Sequence, residues 1–313
     1  MKQAYLFVHF REKTTPDGEQ VYFALSQDGF HWETVNEGRP VLWAYYGDKG
    51  VRDFTITRAN GKFVILATDL SLSYGMRNQY HRSWEEIAQH GSKQLSLWES
   101  GDLVNWTEQQ LVSPANDQFG CVWAPDVVED PEQGDWIVHW SSSHADDAYR
   151  DKCIYYARTK DFHTFAAPQV LYRKENSRVI DSAIYRESGM YYLFVKSEKD
   201  PTNIMELRSK NPTGPWERIT AFDESLKAIN TGKYEAPTAV KLADGRWCLF
   251  LDYYGVRGAG QGYVPFVADD LDSGVFVRSE EAFNFPYGFK HGTILTITPE
   301  EYERIKRHSW DAE

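Results

Sequence analysis

Short apolar segments separated by turn residues run along the whole chain, and four of them share one pattern. In each copy, a segment with an acidic residue enters a strand-like stretch, a turn follows, and a strongly apolar strand comes next. The acidic segments are Val51-Arg52-Asp53, Trp123-Ala124-Pro125-Asp126, Ile180-Asp181 and Tyr234-Glu235-Ala236-Pro237. The four acidic residues are 73, 55 and 54 positions apart (126−53, 181−126 and 235−181). A repeat of about 40 to 55 residues that contains several short strands is typical of a β-propeller.

A second pattern marks the outer edge of each repeat. Five times, a turn rich in Asp, Asn or Gly leads to an aromatic residue that begins another strand. These aromatic residues are Trp32, Trp106, Phe165, Trp216 and Phe276. Five copies predict five blades of four strands each, with the first strand of every blade lining a central channel. The predicted fold class is therefore all-β, a five-bladed β-propeller.

The fifth blade is predicted to combine both ends of the chain. Its inner strand would be 291–297, and its other three strands would be 5–10, 21–25 and 31–35. Pairing of the N-terminal strands with the C-terminal inner strand closes the ring and removes an exposed sheet edge. A short amphipathic helix is predicted after it, at 299–307. No linker or low-complexity segment interrupts the pattern, so residues 1–313 are predicted to form a single catalytic domain.

The composition narrows the class of partner. The chain has 313 residues, of which 42% are hydrophobic and 26% are charged, as in ordinary globular proteins. A net charge of −12 disfavours nucleic acid and anionic membrane surfaces, and no apolar run approaches the roughly 18 residues of a membrane span. The first residues read as a strand rather than a signal peptide. A cytoplasmic protein is expected, with neither nucleic acid nor a membrane as its partner.

Three of the acidic residues are candidates for catalysis. Equivalent positions of a propeller converge on its axis, so Asp53, Asp181 and Glu235, interpreted as sharing one repeat phase, are predicted to meet at one channel mouth. Neighbouring carboxylates push their pKa values apart, so one can be protonated while another stays ionised. That division suits glycoside hydrolysis. A single acidic residue before a strand is more often a turn cap, but three at one phase favour catalysis.

The ordered motifs resemble glycoside hydrolase family 43, a group of five-bladed propellers that includes arabinofuranosidases, arabinanases and xylosidases. The resemblance covers essentially the whole chain and includes His291-Gly292-Thr293. It implies an inverting mechanism with Asp53 as general base, Glu235 as general acid and Asp181 as the carboxylate that modulates the pKa of the acid. Asp181 would stay ionised and raise the pKa of Glu235. The chain departs from the family at Phe54, Ser182 and Ala236, where Pro, Pro and Gly are common.

Further residues are candidates for contacts with the sugar. Aromatic side chains offer flat faces on which a sugar ring stacks, and Trp123 is the first candidate for such a wall. Ordinary packing or surface roles explain each candidate about equally well. The proposed substrate-binding residues are Trp123, Asp126, Phe54, Arg208, Tyr254 and His291, with Trp84, Arg257 and Lys196 as additional ones.

The resemblance also bears on ions. In the family, a histidine at the position of His291 lies in the channel below the acids, often near a bound calcium or sodium ion through water. Calcium prefers oxygen ligands, and the chain has no dedicated acidic loop for it. No cofactor is expected to be required, and a structural Ca²⁺ or Na⁺ in the channel, held through His291 and water, is one option. A hydrogen-bonded channel histidine explains His291 equally well.

The predicted function is release of terminal α-L-arabinofuranosyl residues from arabinose- or xylose-containing oligosaccharides by an inverting exo-glycosidase. Long loops at 71–94 and 253–263 are expected to overhang the mouth and to favour exo action. A β-D-xylosidase or a β-D-galactofuranosidase of the same fold and mechanism is an alternative. So is a non-catalytic carbohydrate-binding propeller, which would not need the acids. A levan- or sucrose-type hydrolase is disfavoured, because the chain contains no Asn-Asp-Pro.

Overall fold

The computed structural model describes residues 3–229, 233–254 and 262–310. It contains five four-stranded antiparallel sheets arranged around a channel as a five-bladed β-propeller. The fold that the repeats predict is therefore confirmed.

The strands alternate along the chain with short turns and two longer loops. The first half contains β1 (Ala4–Arg11), β2 (Tyr22–Ser26), β3 (Trp32–Thr34), β4 (Val51–Ala59), β5 (Lys62–Asp69), β6 (Leu95–Ser100), β7 (Gln110–Val112), β8 (Trp123–Asp130), β9 (Asp135–Ser142) and β10 (Cys153–Thr159). The second half contains β11 (Gln169–Tyr172), β12 (Val179–Glu187), β13 (Met190–Ser197), β14 (Asn203–Ser209), β15 (Glu217–Arg218), β16 (Lys233–Lys241), β17 (Trp247–Tyr254), β18 (Gly262–Ala268), β19 (Val277–Arg278) and β20 (Phe289–Ile297). The α-helices are α1 (Gly75–Asn78), α2 (Trp84–His90), α3 (Thr220–Ile229) and α4 (Pro299–Arg307).

Four blades use consecutive strands, and the fifth joins the chain ends. Blades I to IV are β4–β7, β8–β11, β12–β15 and β16–β19, and blade V has the order β20-β1-β2-β3. The antiparallel register between β1 and β20 runs from Ala4 opposite Ile297 to Arg11 opposite Phe289. The predicted ring closure is confirmed. We call the end of the channel at which the inner strands begin the mouth.

The core lies between the blades rather than within them. The second strand of a blade has neighbouring blades on both faces, so it reads as a continuous apolar run instead of an alternating one. Residues 63–69 of β5 are all buried, and Ile65 and Trp98 of blade I pack with Phe23 of blade V in one cluster. Phe194 of blade III and Leu249 of blade IV share another. These layers of aromatic and aliphatic side chains fix the position of each inner strand.

Each inner strand has a β-bulge near the mouth. The residues at the five bulges are Asp53, Ala124, Asp181, Ala236 and His291. The first four have φ between +48° and +51°, a conformation that side chains other than Gly rarely adopt. The interpretation that Asp53, Asp181 and Glu235 share one phase is therefore wrong for Glu235. Glu235 lies one position before its bulge, and Asp126 lies two positions after its own.

The loop 71–94 lies at the mouth and contains α1 and α2. Ser83 begins α2 by accepting a hydrogen bond from the Glu86 amide at 3.1 Å, and Ile87 anchors the helix in a buried cluster. This leaves Trp84 half-exposed at the start of the helix. In the matching loop of blade IV, residues 255–261 lie outside the described residues.

The helix predicted at 299–307 is α4. It begins with a capping box formed by Thr298 and Glu301. None of the helices in the described ranges is long and apolar enough to cross a membrane.

Because β1 is a full member of the ring, we expect Leu6→Ala to destabilise the fold as a core truncation does. Leu6 is completely buried, so the free energy of unfolding should fall by about 2–5 kcal/mol. Urea denaturation followed by tryptophan fluorescence measures this change. Val277→Ala on the exposed face of β19 is the matched control and should stay within about 0.5 kcal/mol of wild type. A cost of Leu6→Ala as small as that of the control would show that the closing strand does not support the ring.

Candidate active site

A cavity of about 460 Å³ opens at the mouth, and all five blades contribute to its lining. Asp53, Asp181 and Glu235 line it together, each at the mouth end of an inner strand. The structure therefore brings the three predicted carboxylates to one place, although blades I, III and IV carry them. The residues that surround these acids set their electrostatics.

His291 joins two of the three acids. Its Nδ1 lies 3.0 Å from Asp53 Oδ1, and its Nε2 lies 3.0 Å from Glu235 Oε1 and 2.9 Å from Asp252 Oδ2. Burial and the nearby Lys290 charge lower the pKa of His291, but hydrogen bonds to the three carboxylates outweigh them and hold it well above its ordinary value. The ring is thus an imidazolium that donates from both nitrogens.

Glu235 is surrounded by positive charge. In addition to His291, Lys196 Nζ lies 3.1 Å from Oε2, and Lys290 Nζ lies 3.1 Å from Oε1. Burial would raise the pKa of Glu235, but the hydrogen bond to His291 and the three cationic charges hold it far below its ordinary value. Glu235 is therefore a carboxylate at neutral pH.

The pKa values of Asp53 and Asp181 are shifted in opposite directions. Burial opposes ionisation of Asp53, but the hydrogen bond to His291 and the charges of His291 and Arg52 lower its pKa. Burial, assisted by the negative charges of Glu235 and Asp53, raises the pKa of Asp181 to about 6. With a pKa of about 6, Asp181 is still ionised at neutral pH, but the pKa of Glu235 is lowered rather than raised as expected. The order is reversed because lysines, which the acid motifs do not reveal, contact Glu235 directly.

The bulges explain why Lys196 reaches Glu235. The residues just before the bulges, Arg52, Trp123, Ile180 and Glu235, stand opposite Thr68, Ser141, Lys196 and Asp252 on the second strands. The Ala124 amide donates to Thr68 Oγ1 at 2.8 Å, and the Asp181 amide donates to Ser141 Oγ at 3.0 Å. Blade III carries a lysine at this position instead of a hydroxyl. The amide at the next bulge, that of Ala236, donates to Asp181 Oδ2 at 3.2 Å. The Lys196 ammonium binds the Glu235 carboxylate.

Two tryptophans and one tyrosine form the aromatic part of the cavity. The Trp84 and Trp123 rings meet edge to face with their centroids 6.2 Å apart. Tyr254 lies across the cavity, with Lys196 Nζ 4.1 Å from the centre of its ring. The structure thus places Trp123, Trp84 and Tyr254 where a sugar could stack.

Three other predicted contacts do not lie in this cavity. Phe54 is buried among the apolar side chains between blades I and V. Asp126 lies deeper in the channel, where it accepts a hydrogen bond from Thr55 Oγ1 at 2.7 Å, and burial raises its pKa to about 6. Arg208 pairs at the surface with Glu217 and Asp272, at 3.2 Å and 3.0 Å.

For Arg208 these ion pairs do not support substrate contact, whereas Phe54 and Asp126 line a neighbouring cavity together with Asp53, Asp181 and His291. Direct contact of the three residues with the sugar stays a prediction. Arg257, another predicted contact, lies outside the described residues.

Sequence reasoning missed two charged neighbours of Glu235, Lys290 and Asp252. Lys290 directly precedes the histidine of the motif, and Asp252 interrupts the otherwise apolar β17. A charged residue inside a strand that is buried on both faces needs a partner. That signal could have identified Asp252 from the sequence.

A metal ion fits poorly beside His291. Among the described residues, ligand atoms of Glu235, Asp252 and His291 lie within 4.8 Å of one another, close enough to hold an ion. However, the Lys290 ammonium contacts both carboxylates, and His291 offers N–H groups rather than lone pairs. The residues present already supply the positive charge that an ion would bring, so they do not fit direct coordination by His291.

Comparison with known proteins gives a consistent family. A profile of the group related to glycoside hydrolase family 43, described as "Probable glycosyl hydrolase domain", matches residues 1–303. An α-L-arabinofuranosidase of Bifidobacterium longum subsp. longum is 29% identical over an alignment of 210 residues, which covers 60% of this chain and 19% of that protein. The chain thus matches a small part of that longer relative.

Solved structures of the family share the fold. A variant of the GH43 protein BlXynB from Bacillus licheniformis has a TM-score of 0.62 and 15% identity, covering 93% of this chain and 55% of that chain. An exo-1,5-α-L-arabinanase from a bovine ruminal metagenomic library has a TM-score of 0.57 and 18% identity, covering 84% of this chain and 88% of that chain. At such identities the likeness shows the fold alone.

The imidazolium of His291 should make stability depend on pH. A histidine with a raised pKa contributes its full stabilisation below the ordinary value of 6.5 and loses it as the pH rises towards the folded-state value. The free energy of unfolding that His291→Gln removes should therefore be larger at about pH 6 than at about pH 9, by roughly 1–3 kcal/mol.

Urea unfolding of both proteins at the two pH values measures this difference. Val277→Ala, on the exposed outer strand β19, removes no titratable group and is the control, whose effect should be the same at both pH values. An equal loss at both pH values for His291→Gln would mean that His291 is neutral in the folded protein.

Proposed function

Because the chain belongs to the glycosyl hydrolases related to family 43, we propose that it is an inverting exo-glycosidase that removes terminal α-L-arabinofuranosyl residues from oligosaccharides. The class, a glycoside hydrolase with a carbohydrate substrate, follows from the family. The sugar, the exo action and the stereochemistry are the parts that we propose.

The observation that carries the mechanism is the arrangement of Asp53 and Glu235 around His291. The two carboxylates contact opposite nitrogens of one imidazole ring, so the whole ring separates them. Such a spacing is compatible with the roughly 6.5–9.5 Å of inverting pairs, which leave room for a water molecule. It supports attack by water on one face of the sugar while the leaving oxygen is protonated on the other.

Each acid then has a role that matches its surroundings. Asp53, with its lowered pKa, is ionised and accepts the proton of the attacking water as general base. Glu235 faces the leaving oxygen and donates a proton to it. In this step the bond from the anomeric carbon to the leaving oxygen breaks, and a bond to the water oxygen forms.

Glu235 must gain a proton before it can act. Asp181 has a pKa of about 6, and the charge of Glu235 is one of the causes of that shift. When two carboxylates interact strongly, proton uptake belongs to the pair rather than to either residue. The proton that Asp181 takes up in mildly acidic solution is therefore available to Glu235 once a sugar weakens the contacts of Glu235 with the lysines.

The proposal of arabinofuranose rests on the relatives and on the aromatic lining of the cavity. The matched relative from Bifidobacterium longum is an α-L-arabinofuranosidase, and the ruminal structure is an exo-1,5-α-L-arabinanase. The edge-to-face pair of Trp84 and Trp123 lines one part of the cavity, and we infer that these rings stack on the terminal sugar residue. β-D-Xylosidase and β-D-galactofuranosidase activities are alternatives with the same machinery.

Hydrolysis of p-nitrophenyl glycosides tests the function. We expect turnover of the α-L-arabinofuranoside in preference to the β-D-xyloside and the β-D-galactofuranoside. Asp53→Ala should lower kcat by about 10²–10⁴-fold because it removes the general base. Glu235→Gln should impair hydrolysis of an arabino-oligosaccharide more than that of the p-nitrophenyl glycoside, because nitrophenolate leaves without protonation.

Arg208→Ala, at the surface, is the control and should keep wild-type activity. Proton NMR of the first product should show the inverted anomer. Retention of configuration would contradict the mechanism. Binding of sugars without turnover of any substrate would instead favour a non-catalytic carbohydrate-binding propeller.

Lys196 provides a separate test of the acid. Its ammonium lowers the pKa of Glu235, so Lys196→Met should raise that pKa and keep Glu235 protonated to higher pH. The alkaline limb of the pH profile of kcat/KM, which reports the acid of the free enzyme, should move to higher pH. Lys241→Met, which removes a half-exposed lysine paired with Glu187, should leave the profile in place. A shift to lower pH after Lys196→Met would exclude Glu235 as the acid.

A further inference from the structure

Exposed aromatic side chains are unevenly distributed over the molecule. Among the described residues, the large apolar side chains that are exposed comprise six aromatic residues and three valines. The valines, Val170, Val275 and Val277, lie on or beside the outer strands β11 and β19. The aromatic residues are Trp43, Tyr45, Tyr46, Tyr74, Trp84 and Tyr287. All six lie in segments that enter or leave strands at their mouth ends, so the exposed rings are concentrated on the face that carries the active site.

Four of these rings are linked to the cavity by a chain of contacts. Trp84 lines the cavity, and the guanidinium of Arg52 lies 6.0 Å from the centre of its ring. Arg52 binds Glu19 at 3.0 Å, and the other oxygen of Glu19 accepts a hydrogen bond from the Ser73 amide at 3.1 Å. These contacts fix the backbone next to Tyr74.

From Tyr74 the chain of contacts continues away from the cavity. Lys49 Nζ lies 4.9 Å from the centre of the Tyr74 ring, and the Lys49 amide donates to the Tyr46 carbonyl at 3.2 Å. We call Trp84, Tyr74, Tyr46 and Tyr45 the aromatic track.

The outer end of the aromatic track is held rigidly. The Tyr45 and Tyr46 amides both donate to Gln109 Oε1, at 2.6 Å and 2.9 Å. The two residues are nevertheless 68% and 54% exposed. A rigid backbone that presents exposed rings loses little conformational entropy when a ligand binds. Tyrosine suits this task because it combines a flat apolar face with a hydroxyl group.

We propose that the aromatic track is a second carbohydrate-binding site, which binds the neutral polysaccharide chain that carries the terminal residue to be cleaved. The track begins at Trp84, which lines the cavity, so one polysaccharide chain can occupy the cavity and the track together. Its exposed rings stack on sugar faces, and the net charge of −12 repels an acidic chain. This inference rests on the proposed function and extends it from short oligosaccharides to branched polymers.

The test compares a large and a small substrate. The double variant Tyr45→Ala/Tyr46→Ala should lower kcat/KM on soluble arabinan or arabinoxylan by about tenfold, mainly through KM, because it removes two stacking faces. The kcat/KM for p-nitrophenyl α-L-arabinofuranoside should stay within about twofold of wild type, because this small substrate occupies only the cavity and does not reach the track. Tyr45→Phe/Tyr46→Phe should restore activity on the polymer because it restores the ring faces. Val275→Ala/Val277→Ala is the matched surface control.

Three outcomes would overturn the inference: unchanged activity of the double variant on both polymers, an equal loss on polymer and small substrate, or a change only in oligomeric state by size-exclusion chromatography. The last would make the surface a protein interface. Affinity electrophoresis in gels containing each polymer separates this inference from the proposed function. Retardation of wild type, but not of the double variant, would support the track even if the p-nitrophenyl arabinofuranoside is not hydrolysed.

Discussion

The pairing of β20 with β1 is the interaction on which the site depends. It holds the last inner strand between β16 and β4, and so it brings His291 between Glu235 of blade IV and Asp53 of blade I. No local segment of the chain could make these contacts alone. Ordering strands so distant in sequence costs conformational entropy. Burial of apolar side chains where β1 pairs with β20 offsets this cost, and residues 4–10 of β1 are all buried.

The charges at the mouth form one balanced unit. The carboxylates of Asp53, Glu235 and Asp252 would repel one another strongly at this partly buried site. The positive charges of Lys196, Lys290 and His291 lie at hydrogen-bonding distance and offset that repulsion. Buried charges persist only with such partners. Burial, together with the charges of Glu235 and Asp53, raises the pKa of Asp181, and no cation among the described residues contacts its carboxyl group directly to offset this. The order of the pKa values at the mouth thus depends on where the lysines lie and not on the acids alone.

Much of the fold could be predicted from the sequence because each blade repeats the same physical solution. Strand-forming runs, turn residues and the aromatic residue at each outer strand recur five times, and the incomplete blade at each end of the chain implies closure. The site was predictable as a group of three acids. Its electrostatics were not, because Lys196 and Asp252 matter only through their register opposite Ile180 and Glu235. The positions of Phe54 and Arg208 could not be predicted from the sequence either. A bulge directs Phe54 into the core, and ion pairs hold Arg208 at the surface.

The closed seam has a consequence for how the molecule is made. Within the propeller, β1 is synthesised before the other strands and its partner β20 after them, so the first three strands of blade V must wait without an inner neighbour. Contacts of such long sequence separation form slowly. Until they form, nothing brings His291 and Lys290 between the acids of the first and fourth blades. A propeller without its last inner strand therefore lacks the assembled group of charges, and the hydrolytic activity that we propose would report a ring that has closed.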